Sequence, residues 1–232
     1  MQKKYRNEWK YCCSEYYLEQ LKKRLQDFMM RDSNSDKDGI YEVRSLYFDD
    51  RNYSCAMAVN AGASHRFKYR LRYYGNKIDT LHLELKEKIY GKSHKSTFNI
   101  SKELFDKLMN GNEWDVFWNT DSNLMKRFCL DIGTREFSPK IITKYEREAF
   151  VEPNLNIRVT IDRHVCASKK VDEFLQEDYK YSLPLQKTNM HVLEVKFDEL
   201  LPSYMHKLIN MMGISQTSFS KYYIGLKVTG RK

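Results

Sequence analysis

Arg66, Lys68, Arg70 and Arg72 occupy every second position of His65–Tyr74, with Phe67, Tyr69, Leu71 and Tyr73 between them. Strict alternation is the pattern of a strand with two unlike faces, and it sets the cations in one row about 6.6 Å apart per step. Such a row repels itself unless an anion lies along it. Guanidinium forks match phosphoryl oxygens two at a time, so a phosphate-rich polyanion is the simplest ligand. Carboxylates recur on the same kind of face. Glu84 shares a face with Lys86 and Lys88 in Leu81–Lys88, Glu194 with Lys196 in Val192–Phe197, and Glu8 with Arg6 and Lys10 in Tyr5–Tyr11. A carboxylate among cations either neutralises neighbours across the sheet or offers a hard oxygen to a divalent metal. Both readings stand for Glu84 and Glu194. Arg158, Thr160 and Asp162 share a face of Ile157–Asp162 and read equally as a hydrogen-bonded wall or as ligands.

The elements that must position these residues are mostly strands. Gly75-Asn76-Lys77 turns the basic strand into Leu81–Lys88 as a hairpin. Further strands are expected at Tyr41–Asp49, His94–Ile100 and Ile141–Val151. Ser14 caps a helix with a stripe of Leu18, Leu21, Leu25 and Phe28, read as a lid or plug; Ser101 starts another with Leu104, Phe105 and Leu108 inward. Residues 112–137 hold a third around Leu124 and Phe128, and Pro202 opens a fourth through Leu208 and Met212. Ser168 to Asn189 reads as a mobile loop. About eight alternating strands close most simply into an antiparallel barrel. In most small barrels the apolar face fills the interior, but helices outside also need an apolar surface, so a charged lumen is equally consistent. The expected fold is mainly β (α+β), an antiparallel eight-stranded barrel with helices packed outside and one domain over residues 1–232, which a charged lumen would make a tunnel.

Composition narrows the class. Forty Lys and Arg against 31 Asp and Glu leave a formal charge of +9, which favours phosphate-bearing partners. Five cysteines with no Cys-x-x-Cys pair fit reduced thiols rather than a zinc site. Charge interrupts the first residues, and no apolar run approaches a membrane span, so a cytoplasmic protein without membrane insertion is expected. Asn34, Asp36, Asp38 and Gly39 imitate the start of a calcium loop, but Ser45 stands where the closing Glu belongs, so a polar turn is preferred. The six histidines show no paired metal spacing.

Seven short motifs in order carry a resemblance: Arg6-x-Glu8-x-Lys10-Tyr11, Arg44-Ser45-Leu46-Tyr47-Phe48-Asp49, Arg70-Leu71-Arg72-Tyr73-Tyr74-Gly75, Leu83-Glu84-Leu85-Lys86, Tyr145-Glu146-Arg147-Glu148-Ala149-Phe150, Leu193-Glu194-Val195-Lys196-Phe197 and Phe219-Ser220-Lys221-Tyr222. The series resembles the VTC domain, the polyphosphate polymerase branch of the CYTH-like triphosphate tunnel metalloenzymes, in a stand-alone, prokaryotic-type form. The resemblance implies an enzyme, a phosphotransferase that extends polyphosphate with the terminal phosphoryl group of ATP, using Mn²⁺ or Mg²⁺. By position it implies catalytic roles for Lys10, Arg70, Arg72 and Glu194. The family's phosphate ligands fall on Lys10, Arg70, Arg72, Lys86, Arg147 and Lys221; the charge pattern adds Arg44, Arg66, Lys68, Arg158 and Lys196 as candidate phosphate contacts, and Arg147, Lys196 and Lys221 are expected to guide the acceptor chain to the far mouth. Metal ligation falls first on Glu194, then on Glu84 and Glu8. Two departures matter: Arg6 stands where hydrolytic relatives have a metal-binding glutamate, and Ser218 where a close polymerase relative has lysine.

Two rivals remain: a triphosphatase with water as acceptor, and a non-catalytic module binding polyphosphate or nucleic acid. The latter gains nothing from Glu8, Glu84 and Glu194 among the cations. Nucleic acid is not the expected partner, because the aromatic side chains within the basic strand fall on the face opposite its cations. The acceptor, the oligomeric state and any membrane protein receiving the product are left open.

Overall fold

A computed structural model of the chain describes residues 4–32, 39–75, 77–176, 182–211 and 213–230. It begins β1 (Asn7–Ser14), α1 (Glu15–Leu25), β2 (Met30–Arg31), β3 (Ile40–Asp49), α2 (Ser54–Asn60), β4 (His65–Tyr74), β5 (Leu81–Ile89) and β6 (Lys92–Ile100). Then come α3 (Lys102–Met109), α4 (Glu113–Trp118), α5 (Asn123–Arg135), β7 (Ser138–Glu152), β8 (Ile157–Ser168), β9 (Leu183–Pro184), β10 (Met190–Phe197), α6 (Ser203–Ile209) and α7 (Lys221–Val228).

All ten strands belong to one sheet, and eight lie on a single antiparallel path, β1-β10-β8-β7-β3-β4-β5-β6, with β2 attached to β7 and β9 to β8. The two ends of that path meet at one bridge: Arg6 N donates to Ser93 O at 2.9 Å and Ser93 N to Arg6 O at 2.8 Å. The path is therefore laddered from β1 to β6, with register shifts at Tyr47/Phe48 and Lys144/Glu146, and its two ends touch through this isolated bridge. Alternation then decides what fills each side. Two apolar clusters lie outside the ring. In one, α2, α3, α5 and α7 cover β3, β4, β5 and β7 through Leu71, Phe105, Phe128, Ile141 and Tyr222; in the other, α1 and α6 cover β1, β8 and β10 through Leu18, Leu21, Val159, Leu193 and Ile209. The residues between the apolar ones point into the lumen, and they are the charged ones.

Several local expectations need correction. Ser14 does cap α1, accepting from Tyr17 N at 3.3 Å. That helix packs on the outer face, so it is neither lid nor plug, and Phe28 lies beyond it, 56% exposed. The loop ahead of β4 is preceded by a short helix, α2. Residues 112–137 hold two helices rather than one. The described part of 168–189 is partly packed: Phe174 is buried, and its carbonyl accepts from Tyr73 Oη at 3.0 Å. The helix opened by Pro202 stops at Ile209. The tail after Phe219 forms α7, capped by Ser220, which accepts from Tyr223 N at 3.3 Å. The calcium-like turn lies mostly outside the described residues. Among the described residues no helix is long and apolar enough to cross a membrane.

Candidate functional site

The lumen is built by side chains two apart on neighbouring strands. On β4, Arg70 donates from Nε to Glu84 at 2.6 Å and from Nη1 to Tyr47 Oη at 3.2 Å. Arg72, 4% exposed, donates from Nε to Ser45 Oγ at 3.0 Å and from Nη2 to Tyr145 Oη at 3.1 Å. Lys68 Nζ stands 5.6 Å from the centre of the Tyr47 ring. Glu84, 1% exposed, also receives Lys95 at 2.8 Å and lies 3.6 Å from Arg72. It is thus the counter-charge of three cations, and Lys86 is not among them. Across the lumen, Arg147 grips Asp162 with both arms at 2.7 and 2.8 Å, and Lys221 adds a contact at 2.5 Å.

Glu8 and Glu194 come together from β1 and β10. Lys10, in register with Glu194, places its Nζ 3.2 Å from an oxygen of each carboxylate. Lys86 contacts Glu8, and Lys196 contacts Glu194 at 2.5 Å. Burial and the Glu194 charge both raise the Glu8 carboxyl, yet Lys86, Lys10 and Lys196 outweigh them and hold it well below the usual carboxylate range. Burial likewise raises Glu194, and Lys196, Lys10 and Lys86 overturn that. The surplus positive charge is felt elsewhere. Burial brings Lys86 down to about 7 despite Glu8, with Lys10 adding to the fall. Burial brings Lys68 down to about 8, partly offset by Tyr47 and reinforced by Lys10 and Arg70. Tyr47 moves the other way: burial raises it, but Arg70, Lys68 and Arg72 bring it to about 7. Burial thus favours neutral Lys68 and Lys86, while burial of Lys10 is outweighed by Glu8 and Glu194, which hold it charged, and the cations around Tyr47 favour its ionised form.

The two ends differ. A cavity of about 1330 Å³ opens at the end lined by Arg6, Tyr41, Tyr74, His82, Arg158 and Lys196, and it reaches inward to Arg70, Arg72, Lys86 and Arg147. At the other end the chain ahead of α7 lies across the barrel. Thr217 N donates to Lys10 O at 2.8 Å, Lys10 Nζ donates to Phe219 O at 3.0 Å, and Tyr222 stacks on Tyr47 at 5.2 Å. Lys196 and Lys221 therefore sit at opposite ends, so they do not form one exit path to a far mouth.

The VTC domain family model matches residues 5–229, nearly the whole chain. The chain belongs to the VTC domain family. No curated protein matches it in sequence. Among solved structures, a Bacillus halodurans protein described as an adenylate cyclase is 12% identical with a TM-score of 0.56, covering 95% of this chain and 96% of that one. A Hippeastrum protein described as an adenylyl cyclase with a dominant triphosphatase activity is 14% identical with a TM-score of 0.55, covering 96% and 95%. These likenesses carry the tunnel fold.

In this VTC domain, the residues singled out by sequence mostly converge: Lys10, Lys68, Arg70, Arg72, Lys86, Arg147, Arg158, Lys196 and Lys221 all face the lumen or its open mouth. Arg44 does not. It points outward, donating to Glu42 at 3.1 Å and to the carbonyl of Phe174 at 3.3 Å. Arg66 turns back to the carbonyl of Ala63 in the loop before β4. Arg158 is held at the mouth by Asp32 and by Tyr41 Oη at 3.1 Å. The reading of isolated charges overlooked Lys95, Tyr47 and Tyr145, although the same alternation in β6, β3 and β7 points them inward.

The carboxylates set the terms for a divalent metal. Among the described residues no group of three or more His, Cys, Asp or Glu side chains is placed to hold one. Glu8 and Glu194 form a hard two-carboxylate set, and the buried hydroxyl of Thr160, in register beside Glu194, has no hydrogen-bond partner. That set fits Mg²⁺ or Mn²⁺ arriving with a phosphate ligand, since such ions take one or two carboxylates and complete their shell with substrate oxygens and water. Glu84, committed to Arg70, Arg72 and Lys95, does not fit that role.

Proposed function

We propose that this VTC domain transfers the terminal phosphoryl group of ATP to the end of a polyphosphate chain inside the tunnel. The observation that carries the reading is the lumen itself, where a crowd of buried Arg and Lys side chains surrounds one close pair of carboxylates, Glu8 and Glu194. Phosphoryl transfer asks a protein for positioning and for neutralisation of spread charge, and needs little covalent help. Arg70, Arg72, Lys10 and Lys86 clamp the triphosphate, and Arg147 meets the acceptor end. Lys68 neutralises charge at the deep end, and Arg158 and Lys196 draw polyanions in at the mouth. The acceptor is an anionic phosphate oxygen, so no general base is required. Glu8 and Glu194 would hold the metal, which when bound supplies further neutralisation of phosphoryl oxygens. Product leaves by the mouth it entered. On this reading residues 1–232 form one tunnel domain acting in the cytoplasm, with ATP and polyphosphate as its partners.

A second reading, triphosphate hydrolysis, is favoured by the closed end. There Lys10 is bonded to the Phe219 carbonyl and Lys221 to Asp162, and a triphosphate needs no passage beyond them. Incubation with ATP and Mn²⁺ followed by gel analysis separates the two: long polymer supports the polymerase, and free phosphate alone supports the hydrolase.

A further inference from the structure

The cation row of β4 ends in an aromatic ring. Tyr74 continues the lumen-facing positions Arg70 and Arg72, and with Tyr41 and His82 it lines the open mouth of the cavity. The three rings support one another by their edges: Tyr74 lies 5.8 Å from Tyr41 at 66° and 5.5 Å from His82 at 56°. Neighbours fix both partners. Tyr41 Oη accepts from Arg158 at 3.1 Å, and His82 Nδ1 lies 2.7 Å from Asn99 Oδ1. These rings extend the lumen lining past the guanidinium row to the mouth, and their faces offer a flat base a stacking surface that a phosphate chain does not need. Cations border this wall as well: Arg72 Cζ lies 5.8 Å from the centre of the Tyr74 ring, Arg158 holds Tyr41, and Lys95 lines the same cavity, while Arg6 and Lys196 line it from the side of β1 and β10.

We infer that the Tyr74, Tyr41 and His82 wall is a nucleobase subsite, with Tyr74 as the stacking platform, so that the tunnel selects a nucleoside triphosphate, a purine above a pyrimidine, as its phosphoryl donor. One strand step of about 6.6 Å separates Arg72 from Tyr74, the length scale on which a ribose separates the innermost phosphate from its base. The assignment deepens the proposed ATP-dependent activity and rests on the triphosphate lying along Arg70 and Arg72.

Metal-free binding of ATP, CTP and inorganic tripolyphosphate to the unsubstituted protein and to Tyr74→Leu tests it. Base stacking on an aromatic ring predicts that Tyr74→Leu weakens ATP roughly 5- to 100-fold, weakens CTP less, and moves tripolyphosphate by under about two-fold. Tyr74→Trp should retain ATP affinity. Etheno-ATP provides a readout on the unsubstituted protein: its base fluorescence should be quenched at saturation and recover when tripolyphosphate displaces it. Unchanged etheno fluorescence at saturation, or equal losses for ATP and tripolyphosphate in Tyr74→Leu, overturns the subsite and leaves the tunnel reading standing. No tripolyphosphate binding by the unsubstituted protein overturns both.

Discussion

Glu8 and Glu194 share one counter-ion: Lys10 Nζ stands 3.2 Å from Oε1 of the first and 3.2 Å from Oε2 of the second. Two buried carboxylates this close repel, and the lysine holds them together until a doubly charged ion takes over. Glu194→Gln keeps the side-chain size and removes one of the two charges. Metal-dependent turnover should fall by about 100- to 1000-fold, the scale of losing one key electrostatic group. Metal-free ATP binding should survive or tighten, since a negative charge has left the lumen. Arg72→Ala should instead weaken metal-free binding and turnover together. Near-normal turnover in Glu194→Gln, or loss of its metal-free binding, would make Glu194 only a counter-charge.

The lumen's surplus of cations makes polyanions stabilising ligands. At tripolyphosphate near a hundred times its Kd, mass action adds about 2.7 kcal/mol, roughly 5 to 10 °C in melting temperature for a domain of this size. A large shift with single-stranded DNA and none with tripolyphosphate, read by differential scanning fluorimetry, would favour the nucleic-acid module.

Lys68 and Lys86, lowered by burial to about 8 and about 7, set a pH dependence. In the unfolded chain a lysine keeps its proton to about pH 10.4, so between the two values the unfolded state holds more protons and the free protein gains stability as pH rises. Binding runs the other way, because a bound triphosphate favours the charged ammonium. Metal-free ATP binding should weaken as pH climbs from 7 to 9 and take up roughly two protons at pH 8, shared among Lys86, Lys68 and the Tyr47 phenol. Calorimetry in buffers of different ionisation enthalpy measures that uptake. Proton release at pH 8 would contradict the account.

Asp162, fully buried between Arg147 and Lys221, is held at about 2: burial raises it, and the two cations more than reverse that. Asp162→Asn leaves both cations without their counter-charge and should cost about 3 to 5 kcal/mol near neutral pH. The lowered carboxyl contributes above the unfolded Asp value and loses its contribution as pH falls through about 2, so the cost should shrink in acid. Saturating tripolyphosphate should restore part of the loss. A change below about 1 kcal/mol in urea unfolding would mean that the cluster is solvated.

The strands that matter most were the easiest to read. β4 spans His65–Tyr74, as its alternation predicts, and sorting charged from apolar positions already separates lumen from exterior. The same signal failed where both faces are covered. β3 is buried almost throughout, so burial does not sort its faces; only its register with Arg70 and Arg72 shows that Ser45 and Tyr47 point inward and Arg44 outward. α7 is hidden for a related reason: Lys221 reaches into the lumen, Tyr222 stacks on Tyr47, and a Cβ at Gly225 would lie 2.6 Å from Ile141, so no polar face marks it as a surface helix. Its closure of one tunnel end was therefore illegible, and so was the opposition of Lys196 and Lys221. α2, at seven residues, is too short to show a period. The pairing of Glu8 with Glu194 depends on β1 meeting β10 across 186 positions, and no local pattern encodes it.

The central claim is that the γ-phosphoryl group of ATP moves onto a polyphosphate chain. ATP labelled at the γ-position, or separately at the α-position, incubated with the protein and Mn²⁺, tests it directly. The account predicts γ-label in long polymer, α-label remaining in ADP, and one ADP formed for each phosphate added. Label found only in free phosphate would make the protein a triphosphatase, and α-label in a product other than ADP would place the cleavage at a different phosphate and contradict the account.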